Sequence, residues 1–253
     1  MASQRMVGLA AVCALVASGA AAQTPDALSP AQIAVACAPP PITATVPADA
    51  TRVITSQDSH SRSLFGMPDQ LVVSGGTERG LQLGQWYFLR RLARHAENYR
   101  DKLPRQVRTS GWVRVVAVNA TTTIVNVEHA CGDILVGDYL DAFQIRPLPD
   151  ADITSVVATG EPDFKASARV LYGSEERRSG GVGEFMLIDQ GSDHSVALGS
   201  HFAIYRDIRV PGAPLASIGE ATVVSIGPAM ALVRINRALD AVFAGDYVVP
   251  RAK

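Results

Sequence analysis

The sequence predicts an all-β fold, built as a tandem duplication of small half-open β-barrels behind an N-terminal arm. Three observations carry this expectation. Short β-branched segments alternate polar and apolar residues with period two. Gly, Pro and Asp punctuate them at turn spacing. The stretch Gly84 to Tyr139 returns in altered form as Gly199 to Tyr247, each copy opening on Leu-Gly and closing on Gly-Asp-Tyr.

The chain has 253 residues and a formal net charge of −1. Residues 1–22 read as a secretory signal peptide. Arg5 supplies the basic start, Val7 to Ser18 a short apolar run, and Ala20-Ala21-Ala22 the small residues before a cut at Gln23. The expected location is therefore periplasmic or secreted. Arg5 leaves with that segment, so the remainder carries −2, a balance that argues against bulk nucleic-acid binding. No later apolar run approaches 18 residues, so no transmembrane segment is expected after cleavage.

Residues 23–50 form an arm rich in Ala, Pro and Thr. Ser29-Pro30 before Ala31 to Cys37 predicts a short helix with Ser as N-cap and Pro in the first turn. Pro39-Pro40-Pro41 then forces extended chain. Residues 51–146 hold the first repeat, with strands expected at Arg52–Thr55, Leu71–Val73, Gln85–Arg90, Trp112–Val118, Thr122–Glu128 and Tyr139–Phe143. Residues 147–166, with three prolines and Gly160, read as a linker. Residues 167–253 repeat the plan.

The two copies align at a constant offset of 115 residues, which pairs Gly76 with Gly191, Gly84 with Gly199 and Arg91 with Arg206. After a loop seven residues shorter in the second copy the offset is 108, pairing Gly111 with Gly219, Val125 with Val233 and Gly137-Asp138-Tyr139 with Gly245-Asp246-Tyr247. A unit of five or six short strands must close on itself or pair with its copy to hide its edges. A barrel of the SH3-like kind fits that strand count and length.

The candidate chemistry is sparse. Asp138 and Asp246 offer two carboxylates; the structural alternative is a turn, with Gly137 and Gly245 taking positive φ and each Asp bonding a neighbouring N–H. Between Arg90 and Arg108 lie seven cations: Arg90, Arg91, Arg94, Arg100, Lys102, Arg105 and Arg108, against Glu97 and Asp101. This stretch reads as an amphipathic helix or long hairpin tip, and as the candidate contact surface for an anionic partner. Cys37 and Cys131 remain after the signal; a disulfide and two separate buried thiols are both open readings. His60, His95, His129, His194 and His201 show no zinc-binding spacing, although His194 and His201 have room to converge with Asp193. No Gly-x-Ser-x-Gly elbow and no phosphate-cradling glycine loop occurs. No metal, cofactor or catalytic residue is expected. Trp86, Tyr87, Phe88 and Trp112 form the main aromatic group, divided between core and a candidate stacking surface.

The run Gly183-Glu184-Phe185-Met186-Leu187-Ile188-Asp189-Gln190-Gly191, then Leu198 to Arg206, Ile218 to Val224 and Ala244 to Pro250, resembles the non-catalytic C-terminal region of bacterial LysM-containing cell-envelope proteins. More distantly it is similar to the SH3-like C-terminal domain of a flagellar outer-membrane-ring assembly protein. The resemblance spans residues 65 to 251. It implies an SH3-like fold and an envelope location, and supplies no catalytic residues. The chain carries no LysM repeat. The expected role is an exported, non-catalytic binding or scaffold protein whose partner is an envelope protein or a peptidoglycan-type polymer. A structural subunit of an envelope or flagellar ring, and an envelope hydrolase with an unrecognised site, are the alternatives.

Overall fold

The structure, a computed structural model, describes residues 28–42, 46–93, 107–145 and 162–251. The signal-peptide reading and most of the linker reading fall outside these residues, as do Arg94, Arg100, Lys102 and Arg105 of the basic stretch.

The first unit contains β1 (Val53–Ser56), β2 (Leu64–Phe65), β3 (Gln70–Ser74), β4 (Trp86–Leu92), β5 (Val107–Val118), β6 (Thr122–Ala130), β7 (Ile134–Leu135) and β8 (Tyr139–Ala142). Six of these form one antiparallel sheet in the order β1-β3-β6-β5-β4-β8, and β2 pairs with β7. The second unit contains β9 (Ala168–Gly173), β10 (Ser179–Gly180), β11 (Phe185–Ile188), β12 (His201–Arg206), β13 (Ala216–Ile226), β14 (Ala231–Ala238), β15 (Val242–Phe243) and β16 (Tyr247–Pro250). Here β9-β11-β14-β13-β12-β16 closes into a barrel, and β10 pairs with β15. The strand order is the same in both. The second barrel shuts through the β9–β16 pair, whereas the first curls to a single bridge between Arg52 and Tyr139. The fold is all-β with small barrels.

The cores repeat side chain by side chain. Leu71, Val73, Leu89, Val115, Val125 and Val127 fill the first barrel. At offsets of 115 and then 108, Met186, Ile188, Ile204, Val223, Val233 and Ile235 fill the second. Each is at most 1% exposed, so the interior is dry on both sides of the duplication. Alternation along each strand makes this possible, since only every second residue points inward.

Two glycine positions show why the repeat retains them. A Cβ on Gly76 would lie 2.0 Å from the Asn119 carbonyl oxygen, and one on Gly191 would lie 2.2 Å from that of Gly227. Gly111 and Gly219 repeat the pattern against the His129 and Arg237 carbonyls, at 2.2 and 2.4 Å. At Gly76 and Gly191 a turn's backbone, and at Gly111 and Gly219 the neighbouring strand's backbone, occupies the space a side chain needs.

The arm is integral to the packing. Its helix α1 (Pro30–Cys37) carries a full capping box, with Ser29 Oγ accepting from the Gln32 N–H and Gln32 Oε1 from the Ser29 N–H. Ala36 packs with Phe88 and Trp112 on the outer face of the first barrel. Val35 and Ala38 pack with Phe185, Leu187, Met230 and Leu232 on the outer face of the second. The helix is thus wedged between the two barrels. Pro39 to Pro41 are buried, and the Pro41 carbonyl oxygen touches the Gly227 turn so closely that a Cβ there would lie 1.7 Å from it. A disulfide joins Cys37 to Cys131 across 94 residues of sequence.

Candidate functional site

Arg91 and Arg206 end equivalent strands, and the structure aims each at the aspartate of its own Gly-Asp-Tyr turn. In the first barrel Arg91 Nε lies 2.7 Å from Asp138 Oδ1, and Nη2 donates to Oδ2 at 3.1 Å. In the second, Arg206 Nε and Nη2 reach Asp246 Oδ1 and Oδ2 at 3.0 and 2.8 Å. The same guanidinium groups also donate to the carbonyls of Asp133 and Ala241, again equivalent positions. Each carboxylate accepts one further N–H, from Leu135 at 3.1 Å or Phe243 at 2.7 Å. Gly137 and Gly245 take φ of 92° and 96°, the left-handed conformation that lets the turn present its Asp inward.

This arrangement is a latch tying the end of one strand to the turn before another. A bidentate fork fixes Arg206 on Asp246, and an ion pair with one hydrogen bond fixes Arg91 on Asp138. Burial pushes the Asp138 carboxyl above its ordinary value, opposed by the Leu135 N–H and by Arg91. Asp246 and Asp240 hold the Arg206 guanidinium yet more firmly protonated. The two aspartates belong to separate barrels and are each neutralised locally, so they do not form a carboxylate pair. A second arginine recurs beside each turn. Arg52 Nη1 donates to the Gly137 carbonyl at 3.1 Å, and Arg169 Nη1 to that of Gly245 at 2.8 Å.

Around the second latch a cleft of about 560 Å³ opens, lined chiefly by Arg169, Arg178, Arg206 and Arg209 with the rings of Phe243 and Tyr247. Arg206 is consumed by Asp246 and Asp240 and lies over the Phe243 ring. Arg169 stacks on Tyr247. Arg178 and Arg209 are exposed, and among the described residues no carboxylate lies within ion-pair distance of either or of Arg169. Arg178 and Arg209 therefore face the cleft unpaired among the described residues, beside Asp207 and the Arg206-bound Asp246, while the half-buried Arg169 donates to the Gly245 carbonyl and lies near Asp189. Arg209 is held in place by its backbone, with φ of 57° and its N–H donated to Asp207 Oδ1 at 2.7 Å.

The second unit sends two glutamates against the first barrel. Glu175 and Glu176, at the end of β9, carry φ of 57° and 59° and lean against it. Glu176 lies 3.8 Å from Arg108, and the Glu175 side chain rests over Gly132. Glu176 thus reaches Arg108, the cross-strand neighbour of Arg91, while Arg91 itself stays with Asp138.

This geometry alters the sequence reading of the basic stretch. Arg90, Arg91 and Arg108 are not loop residues, because β4 continues to Leu92 and β5 begins at Val107. Their side chains are 11%, 17% and 14% exposed and engage Asp141, Asp138 and Glu176. The remaining four cations lie outside the described residues. The aromatic group is likewise divided otherwise than expected. Phe88 and Trp112 are buried, but outside the barrel core, beneath α1. Trp86 and Tyr87 are half-buried, and the Arg114 guanidinium covers Trp86.

His194 and His201 line one further cleft of about 390 Å³ with Lys165 and Ser200. His201 Nδ1 is 3.1 Å from Thr222 Oγ1, which also accepts from Asn236. Asp193 does not join them as a third ligand: among the described residues the group whose ligand atoms converge is Cys37, His129 and Cys131. That trio escapes spacing rules because Cys37 arrives from α1. Only His129, near the end of β6, and Cys131, just past it, share a local signal.

No protein-family model matches this chain, and no curated protein is similar to it. Among the described residues no helix is long and apolar enough to cross a membrane.

Proposed function

We propose that this chain is an exported, non-catalytic binding or scaffold protein of the cell envelope that holds an anionic partner in the arginine cleft of its second barrel. The observation that carries the reading is the arginine cleft around the second latch. In the first barrel Arg91 is engaged by Asp138 and Arg108 by Glu176. In the second, Arg178 and Arg209 are exposed beside the Phe243 and Tyr247 rings, with no carboxylate within ion-pair distance among the described residues. Guanidinium groups bind carboxylates through fixed donor forks, and rings beside them suit the apolar face of a sugar or peptide. A peptidoglycan-type polymer or an acidic envelope protein supplies both features. The Cys37–Cys131 bridge supports an oxidising compartment. The leader-like N-terminus and the likeness to SH3-like regions of LysM-containing proteins agree with an envelope location.

The test is co-sedimentation of residues 23–253 with purified peptidoglycan sacculi at low and high salt. Three proteins are compared: wild type, Arg178→Gln/Arg209→Gln, and a variant with Arg94, Arg100, Lys102 and Arg105 all changed to Gln. Binding that is salt-sensitive and lost in the Arg178/Arg209 variant supports the cleft. Binding lost only in the four-residue variant moves the contact to the β4–β5 connection. No sedimentation at either salt sinks direct wall binding and leaves an acidic protein as the partner, to be sought by cross-linking in native envelopes.

A further inference from the structure

The disulfide has a neighbour that a purely structural bridge does not need. His129 lies on β6 two residues before Cys131, and Cys37 is brought to both by α1. One ligand atom from each of the three lies within 4.8 Å of the others. The His129 ring is stacked on Trp112, its cross-strand partner, with centroids 4.2 Å apart and planes inclined by 14°. Trp112 is itself pinned by Phe88 and Phe143. The imidazole is therefore held in place by packing rather than left to rotate in solvent.

While the bridge is intact, neither sulfur is a thiolate and the trio binds no metal. A dithiol reductant converts the bridge to two thiols and is itself oxidised to a disulfide; a phosphine does the same with one water, which supplies the oxygen of the phosphine oxide and the two thiol protons. The fold keeps those thiols together. The α1 capping box, the burial of Ala36 and Ala38, and the close seating of Pro41 on Gly227 all hold the helix without help from the bridge. The result is two soft sulfur donors and one imidazole at a small, partly apolar site. Soft thiolates suit both Zn(II) and Cu(I), but zinc in structural sites is almost always tetrahedral and asks for a fourth ligand that this trio does not supply.

We infer that Cys37, Cys131 and His129 form a redox-gated copper site: closed as the disulfide, and a three-coordinate Cu(I) site as the dithiol. Binding releases the two thiol protons as the Cu–S bonds form. The bridge is then a switch as well as a staple, and the barrel pair carries it at the seam that α1 fills.

The test is an anaerobic titration in which the phosphine-reduced protein competes for Cu(I) with a chromophoric chelator. The reduced protein should withhold one equivalent and the oxidised protein none. His129→Phe, which keeps the ring against Trp112, should weaken Cu(I) binding at least tenfold. X-ray absorption of the loaded wild type should show two sulfur neighbours and one nitrogen. Equal retention by the Cys37→Ser/Cys131→Ser variant overturns the site, and equal affinity in His129→Phe overturns its three-coordinate form. Retention of Zn(II) but not Cu(I) overturns the choice of ion. Far-UV circular dichroism is recorded on the reduced protein, and loss of the folded spectrum overturns the claim that the site is preformed.

Discussion

Replacing Asp138 with Ala removes a buried acceptor of the Arg91 Nη2 and Leu135 N–H donors and the ion-pair partner of the Arg91 guanidinium, whose Nε lies 2.7 Å away. The Asp138 side chain is 2% exposed and that of Arg91 17%, so neither regains full hydration when its partner is lost. An orphaned buried N–H costs about 1–3 kcal/mol. Breaking a buried ion pair from one side costs about 3–5 kcal/mol in all, because a charge stays behind. We therefore expect Asp138→Ala to destabilise the first barrel by about 3–5 kcal/mol. Asp138→Asn keeps an acceptor for Leu135 and should cost about 1–3 kcal/mol. Asp246→Ala should cost less than Asp138→Ala, because Arg206 keeps Asp240 at 2.7 Å. The assay is urea unfolding followed two ways. Both tryptophans, Trp86 and Trp112, belong to the first barrel, so fluorescence reports on that barrel and far-UV circular dichroism on both. A cost below about 1 kcal/mol for Asp138→Ala, the scale of a surface ion pair, would refute the latch. So would a larger cost at Asp246.

Three further outcomes follow from the same geometry. Cys37→Ser/Cys131→Ser opens a loop of 94 residues and should cost about 2–4 kcal/mol in urea, while leaving the far-UV spectrum folded. Gly111→Ala and Gly219→Ala each push a methyl into a neighbouring carbonyl and should lower stability by about 1–3 kcal/mol, by similar amounts because the positions are equivalent. Burial raises the Asp189 carboxyl above its ordinary value, while its Oδ1 accepts the Arg169 N–H. The native carboxyl then holds a proton that the unfolded chain has already released, so this group's contribution worsens as pH rises from about 3.8 through the raised native value. Asp189→Asn, which keeps the acceptor, should be at least as stable as wild type at pH 7, and that advantage should vanish below about pH 3.8; a loss of more than 1 kcal/mol at pH 7 would contradict this reading.

The barrels were legible because strand burial is a local signal. Alternation placed Val113, Val115, Val125 and Val127 inside, and the constant offset carried the same pattern to Val223, Val233 and Ile235. The α1 cap was equally local, since Ser29, Pro30 and Gln32 lie within one turn. The latch was half legible: Arg91 and Arg206 align, and so do Asp138 and Asp246. Their pairing spans 47 and 40 residues, and no spacing rule joins a strand end to a distant turn. The cleft was not legible, because Arg169, Arg178, Arg206 and Arg209 come from separate segments that only barrel closure gathers. The basic stretch drew attention by charge density alone. Density says nothing of which arginines the strands turn inward, and Arg90, Arg91 and Arg108 proved to be among them.

The most direct measurement of the proposed function is a hydrogen–deuterium exchange map of residues 23–253 with and without solubilised anionic peptidoglycan fragments. The account predicts slowed exchange at 206–209 and 243–247, around the arginine cleft, with little change on the strands of the first barrel. Protection confined to the β4–β5 connection, or protection nowhere at saturating fragment, would contradict the assignment of this cleft as the site that holds the polymer.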